Sequence, residues 1–72
     1  MPPVMQSTPL SSHVSQIGYD EAQQKLYVVY KTGYTYIYHD VEPDVADSVI
    51  NAPSVGAALH SDIKGLYNFT RG

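Results

Sequence analysis

The chain has 72 residues, no cysteine, seven acidic and four basic side chains, and a net charge of −3. A chain this short makes one small domain that buries about 60% of its unfolded surface, which leaves no room for both a core and a deep enclosed active site. Without cysteine it has neither disulfides nor a thiolate metal site. Its four cations, Lys25, Lys31, Lys64 and Arg71, are scattered over 47 positions, which argues against tight phosphate-driven nucleic-acid binding.

Residues 1–11 hold three of the five prolines and no charged side chain. Proline fixes φ and removes a donor, so neither a helix nor a central strand fits there. The segment reads as a flexible or partner-ordered tail, with Val4, Met5, Thr8 and Leu10 as its contact residues for a partner. No basic n-region or long apolar run is present, so a signal peptide and a membrane span are not expected and the protein reads as cytoplasmic.

A single domain is predicted over 12–70. Its first strand runs from Ser12 to Tyr19, where the apolar spacing of Val14 and Ile17 breaks strict alternation and predicts a bulge, with Gly18 as a source of backbone freedom. A polar turn spans Asp20 to Gln24. The segment from Lys25 to His39 is a β-hairpin, two tyrosine-rich and β-branched runs around Lys31-Thr32-Gly33. A three-residue loop with Gly33 in the left-handed region pairs Tyr30 with Tyr34, Val28 with Tyr36 and Leu26 with Tyr38. That register gathers the bulky residues on one face, with Tyr27, Val29, Thr35 and Ile37 on the other.

Pro43 suits a first helical turn, Asp44 and Asp47 complement the helix N-terminus, and Val45, Val49 and Ile50 share a face with Ala46 and Ala52 beside them. Asn51-Ala52-Pro53 ends this helix. Ser54 caps a second one reaching about Lys64, with Val55, Ala58 or Leu59, and Ile63 as its stripe and Gly65 as its stop. Leu66, Tyr67 and Phe69 are expected to fold back onto the domain, and Thr70-Arg71-Gly72 to fray. The fold class is α+β, a three-stranded antiparallel sheet followed by two short helices packed on one face.

The chemistry-bearing residues do not form a catalytic pattern. His13, His39 and His60 match no metal-ligand spacing, although His13 and His39 can approach across adjacent strands. No nucleophile elbow or phosphate loop is present. Asp40, Glu42, Asp44 and Asp47 cluster where the sheet gives way to the helix. The expectation is a protein that is not an enzyme and holds no metal or cofactor.

Residues Ser12 to Tyr67 resemble the KTSC domain. The residues that carry the resemblance are Ile17-Gly18-Tyr19-Asp20, Leu26, Val28 and Tyr30, Gly33, Tyr36 and Tyr38, Val41, Ala52-x-Ser54-x-Gly56, and Ile63-Lys64. The aromatic pair that members often carry after that glycine is replaced by Ala57, Ala58 and Leu59. The family occurs alone in bacterial and phage proteins and at the C-terminus of some lysyl-tRNA synthetases. The resemblance implies two roles. One is a phage-type regulator that binds a host protein complex, with RNA polymerase as the partner, and modulates transcription in the bacterial cytoplasm. The other is weak single-stranded RNA binding by tyrosine stacking. For the first, the expected contacts are the tail residues together with Tyr27, Val29, Lys31 and Ile37, docking by strand addition or apolar anchors, from a chain that is monomeric when free.

Overall fold

The computed structural model describes residues 5–7 and 13–72. Five strands form one antiparallel sheet in sequence order: β1 (Gln6–Ser7), β2 (Val14–Asp20), β3 (Lys25–Tyr30), β4 (Thr35–Tyr38) and β5 (Phe69–Arg71). Between β4 and β5 run helix α1 (Pro43–Ile50), helix α2 (Val55–Ala58) and a π-helical turn (Leu59–Ile63). The α+β class and the two helices agree with the sequence reading; the sheet has five strands where three were expected.

The hairpin has the predicted register, with Leu26 opposite Tyr38 and Val28 opposite Tyr36. Tyr30 N–H donates to Tyr34 carbonyl at 2.9 Å, and Gly33 takes φ +96°, as a three-residue loop requires. The predicted bulge is also present. Val14 lies opposite Tyr30 and Gln16 opposite Val29, so Ser15 is the extra residue and both Val14 and Ile17 turn inward. Gly18 plays no part in it, since it pairs regularly with Tyr27.

Val14, Ile17, Leu26, Val28 and Tyr38 form the sheet side of the core, and Ala46, Val49, Val55, Leu59 and Ile63 the helix side. On α1 the most buried positions are Ala46 and Val49; Val45 and Ile50 are only half-buried, so the helix is rotated toward its small residue. Ser54 caps α2, its hydroxyl accepting from Ala57 N–H at 3.4 Å. The α-helix then widens, and Lys64 N–H bonds Leu59 carbonyl five residues back at 2.7 Å. Leu59 is buried together with Val55 and Ile63.

The C-terminal expectation is corrected. Leu66 is 70% exposed and does not fold back, whereas Tyr67 packs against the core. Thr70 and Arg71 do not fray: they lie in β5, opposite Ile37 and Tyr36, with Phe69 opposite Tyr38. The free edge of β4 offers unpaired backbone groups that this segment satisfies. At the other edge Gln6 and Ser7, within the segment read as a tail, pair with Ile17 and Gln16. Both edges of the central three strands are therefore occupied, which removes the longest template for strand addition. Among the described residues no helix is long and apolar enough to cross a membrane.

Candidate functional site

The register separates the charges. At one end of the sheet Asp20 pairs with Lys25, and Val41 N–H bonds Gln24 carbonyl at 2.9 Å, so Asp20, Glu21, Asp40 and Glu42 gather there. Tyr19 donates its hydroxyl to Val41 carbonyl beside them. Burial first, then the charges of Glu21, Asp20 and Glu42, push the Tyr19 hydroxyl above its ordinary value. At the other end lie the hairpin loop with Lys31, the start of β2 with His13, and the end of β5 with Arg71. Lys64 and His60 arrive at that end from the π-helical turn. Three of the four Lys and Arg residues, distant in sequence, thus lie toward the end opposite the acidic one.

Between hairpin and helices this basic end is concave. A cavity of about 500 Å³ is lined by His13, Tyr30, Ser54, Gly56, His60 and Lys64, among others. A second, of about 240 Å³, shares His13, Tyr30 and Lys64 with it and adds Thr32, Tyr34 and Tyr36. Among the described residues no carboxylate lines either one. The helical segment builds its wall by spacing. Val55, Leu59 and Ile63 recur every four residues toward the core, and Gly56, His60 and Lys64 recur one position later toward the groove. Gly56 and Ala57 keep that wall low.

The aromatic wall comes from the hairpin. Tyr36 is its hub: it meets Tyr30 edge-to-face at 5.2 Å, stacks on Phe69 at 4.8 Å, and lies 6.4 Å from Tyr38. Tyr30 and Tyr38 hydroxyls are 3.1 Å apart. Burial and that hydrogen bond push the Tyr38 hydroxyl well above its ordinary value, so it stays protonated across the physiological range. Tyr34 is 53% exposed, with the Arg71 guanidinium 4.3 Å above its ring. Tyr38 is core, and Tyr30, Tyr34 and Tyr36 are open to the groove.

The residues named from sequence for a partner lie elsewhere. Val4, Thr8 and Leu10 fall outside the described residues. Met5 is half-buried next to β1. Tyr27, Val29 and Ile37 share the outer sheet face, with Tyr27 opposite Ile37 and Val29 opposite Thr35, and no helix covers them. Lys31 is exposed in the hairpin loop. The structure therefore brings Tyr27, Val29 and Ile37 together, and Lys31 stands apart at the basic end. His13 does not approach His39, which bonds Thr70 hydroxyl at 3.0 Å; it lines the cavity with His60 instead. Sequence reasoning missed Ser54, His60 and Lys64 as groove residues, and Arg71 as the cation above the Tyr34 ring at its rim. The one signal for them was the Gly56–His60–Lys64 spacing beside the apolar stripe.

Fold and groove define a small α+β module with an aromatic and cationic recess, and comparison with known proteins identifies the family to which the fold belongs. A model of the KTSC domain matches residues 10–67. A Tsukamurella paurometabola protein is 37% identical over 54 residues, 75% of this chain and 81% of that one. The lysine–tRNA ligase of Nostoc punctiforme is 34% identical over 61 residues, 85% of this chain; the match spans 11% of the ligase. The crystal structure of a KTSC domain protein from Yersinia pestis superposes with a TM-score of 0.89 at 26% identity, covering 99% of each chain. The chain belongs to the KTSC domain family. Five of the residues that carry the family resemblance, Tyr30, Tyr36, Ser54, Gly56 and Lys64, line the groove.

Proposed function

We propose that this protein is a non-catalytic module that binds single-stranded RNA in the groove between the hairpin and the π-helical turn. The observation that carries this reading is the meeting of open tyrosines with His13, His60, Lys64 and Arg71. Bases stack on aromatic faces and on guanidinium planes, with about 1–3 kcal/mol per base, and clustered cations draw the phosphates. The acidic end limits the footprint to a few nucleotides. A relative named as a lysine–tRNA ligase adds a circumstantial link to RNA.

The test is an amide NMR titration with a single-stranded RNA decamer. Shifts are expected at Tyr30, Tyr34, Tyr36, Ser54, Gly56 and Lys64, with Tyr27, Val29 and Ile37 unmoved. Contacts to two or three phosphates correspond to a slope of log K against log salt of about −1.4 to −2. Absence of shifts at millimolar RNA overturns the reading.

A second reading is a phage-type regulator of host RNA polymerase, acting in the bacterial cytoplasm. It is supported by the uncovered apolar trio Tyr27, Val29 and Ile37 on the outer sheet face. Its test is binding to purified bacterial RNA polymerase. Tyr27→Ser and Ile37→Ser are expected to abolish that binding and leave RNA affinity intact; no binding by the unaltered protein ends this reading.

A further inference from the structure

We infer that the groove is built for one phosphorylated nucleotide end, either a free nucleoside monophosphate or the phosphorylated terminus of a strand. This rests on the RNA-binding reading and narrows it. The two cavities share His13, Tyr30 and Lys64 but differ in their remaining walls. One adds His60 and Ser54, a donor-rich recess for an anion. The other adds Tyr34 and Tyr36, faces for a base. A mononucleotide has the same two-part chemistry, one compact anion beside one planar ring. The larger cavity, at about 500 Å³, falls within the range of roughly 300–1,000 Å³ usual for small-ligand sites.

Charge favours an end over an interior. The chain carries −3 overall; Asp20, Glu21, Asp40 and Glu42 stand at the opposite end of the sheet, and Asp62, on the π-helical turn, lines a different recess together with Asp44. A long strand extending from the groove therefore leaves the cations and gains little from further phosphates. A terminal phosphate monoester concentrates about −1.5 to −2 on one group at neutral pH, against −1 for an internal phosphodiester. It gains most from the cluster of Lys64 with two histidines. Ser54 hydroxyl, already accepting from Ala57 N–H, still has its own proton to donate toward the recess.

The experiment is calorimetric titration of the full chain with RNA decamers carrying a 5′-phosphate, a 3′-phosphate or hydroxyls at both ends, and with AMP and adenosine. The phosphorylated decamer of one polarity is expected to bind at least tenfold tighter than the hydroxyl-ended one, and AMP likewise tighter than adenosine. AMP matching the phosphorylated decamer assigns the free nucleotide; a tighter decamer assigns a strand end. Lys64→Ala should weaken both decamers but the phosphorylated one far more, bringing the ratio between them to within about twofold, and Lys64→Arg should restore the ratio. Far-UV circular dichroism confirms that both variants fold. Equal binding of phosphorylated and hydroxyl ends overturns this inference while the groove stands as an RNA site. Failure of every oligonucleotide and nucleotide to bind overturns the RNA reading as well.

Discussion

The ring of Tyr36 stacks on that of Phe69, centroids 4.8 Å apart and planes 8° from parallel. The pair ties the last strand to the hairpin and backs the aromatic wall of the groove. Phe69 is 49% exposed, so its burial is worth about half that of a core phenylalanine, plus about 0.5–1.5 kcal/mol for the ring contact. Phe69→Ala is expected to lower stability by about 1–3 kcal/mol, read as an earlier urea midpoint, with Phe69→Tyr near the unaltered protein. An unchanged midpoint for the alanine variant removes β5 from the stable sheet.

This strand was illegible in sequence, and the hairpin was not. Leu26, Val28, Tyr30, Tyr36 and Tyr38 alternate with smaller or outward residues, and Gly33 marks the loop, so local chemistry specifies their pairing. Residues 69–71 are too few to show a period, and their strand conformation comes from the free edge of β4. The groove was hidden for a related reason. His13, Tyr34, Arg71 and the pair Ser54 and Lys64 belong to four separate segments, and only the tertiary fold brings them together. Counting cations along the chain suggested dispersion, whereas the fold brings three of them to one end of the sheet, with Lys64 in the groove and Arg71 over Tyr34. The helical stripe was legible within one position, because Leu59 rather than Ala58 is the residue that can fill the core.

Tyr38 gives the protein an alkaline limit. Burial and its bond with Tyr30 hydroxyl raise its pKa above the ordinary 10.0, so the folded state holds a proton that the unfolded chain releases near pH 10. The unfolded state then binds fewer protons, and stability falls with rising pH. This contribution is complete below about pH 10 and is lost upward from there, by at most about 1.4 kcal/mol per pH unit. Urea midpoints should be flat from pH 7 to 9 and decline above 10. Tyr38→Phe should make the decline shallower while costing about 1 kcal/mol at pH 7 through the lost hydrogen bond. Equal alkaline slopes in both proteins count against a buried, protonated Tyr38.

Two backbone positions invert each other. Gly33 has φ +96° and no atom within 4 Å of an added Cβ, so Gly33→Ala meets only backbone strain, about 1 kcal/mol of destabilisation. Gln24, which ends the turn before β3, holds φ +54° with a side chain attached. Gln24→Gly relieves the strain but loosens the unfolded chain, so its net effect should fall between zero and about 1 kcal/mol of stabilisation. Opposite signs in paired urea titrations are the expected result. A destabilised Gln24→Gly shows that its side chain, and not its backbone, governs the turn.

Leu59 and Leu66 lie seven residues apart and carry the same side chain, yet they should respond very differently to truncation. Leu59 is 2% exposed beneath the π-helical turn, where it joins Val55 and Ile63 against the sheet. Leu66 is 70% exposed just past Gly65. Removing a buried leucine side chain costs about 2–5 kcal/mol, a large share of the whole stability of a domain this small. Leu59→Ala should therefore leave the protein largely unfolded or melting near room temperature, with its amide spectrum collapsed. Leu66→Ala should stay within about 0.5 kcal/mol of the parent, as surface changes do. Since Leu59 also lines the groove, Leu59→Met, which preserves volume, is the informative companion. It should keep the fold and bind RNA within a few-fold of the parent. A folded, stable Leu59→Ala protein means the helical segment is not anchored through this residue, and the Gly56–His60–Lys64 wall would then lose its support.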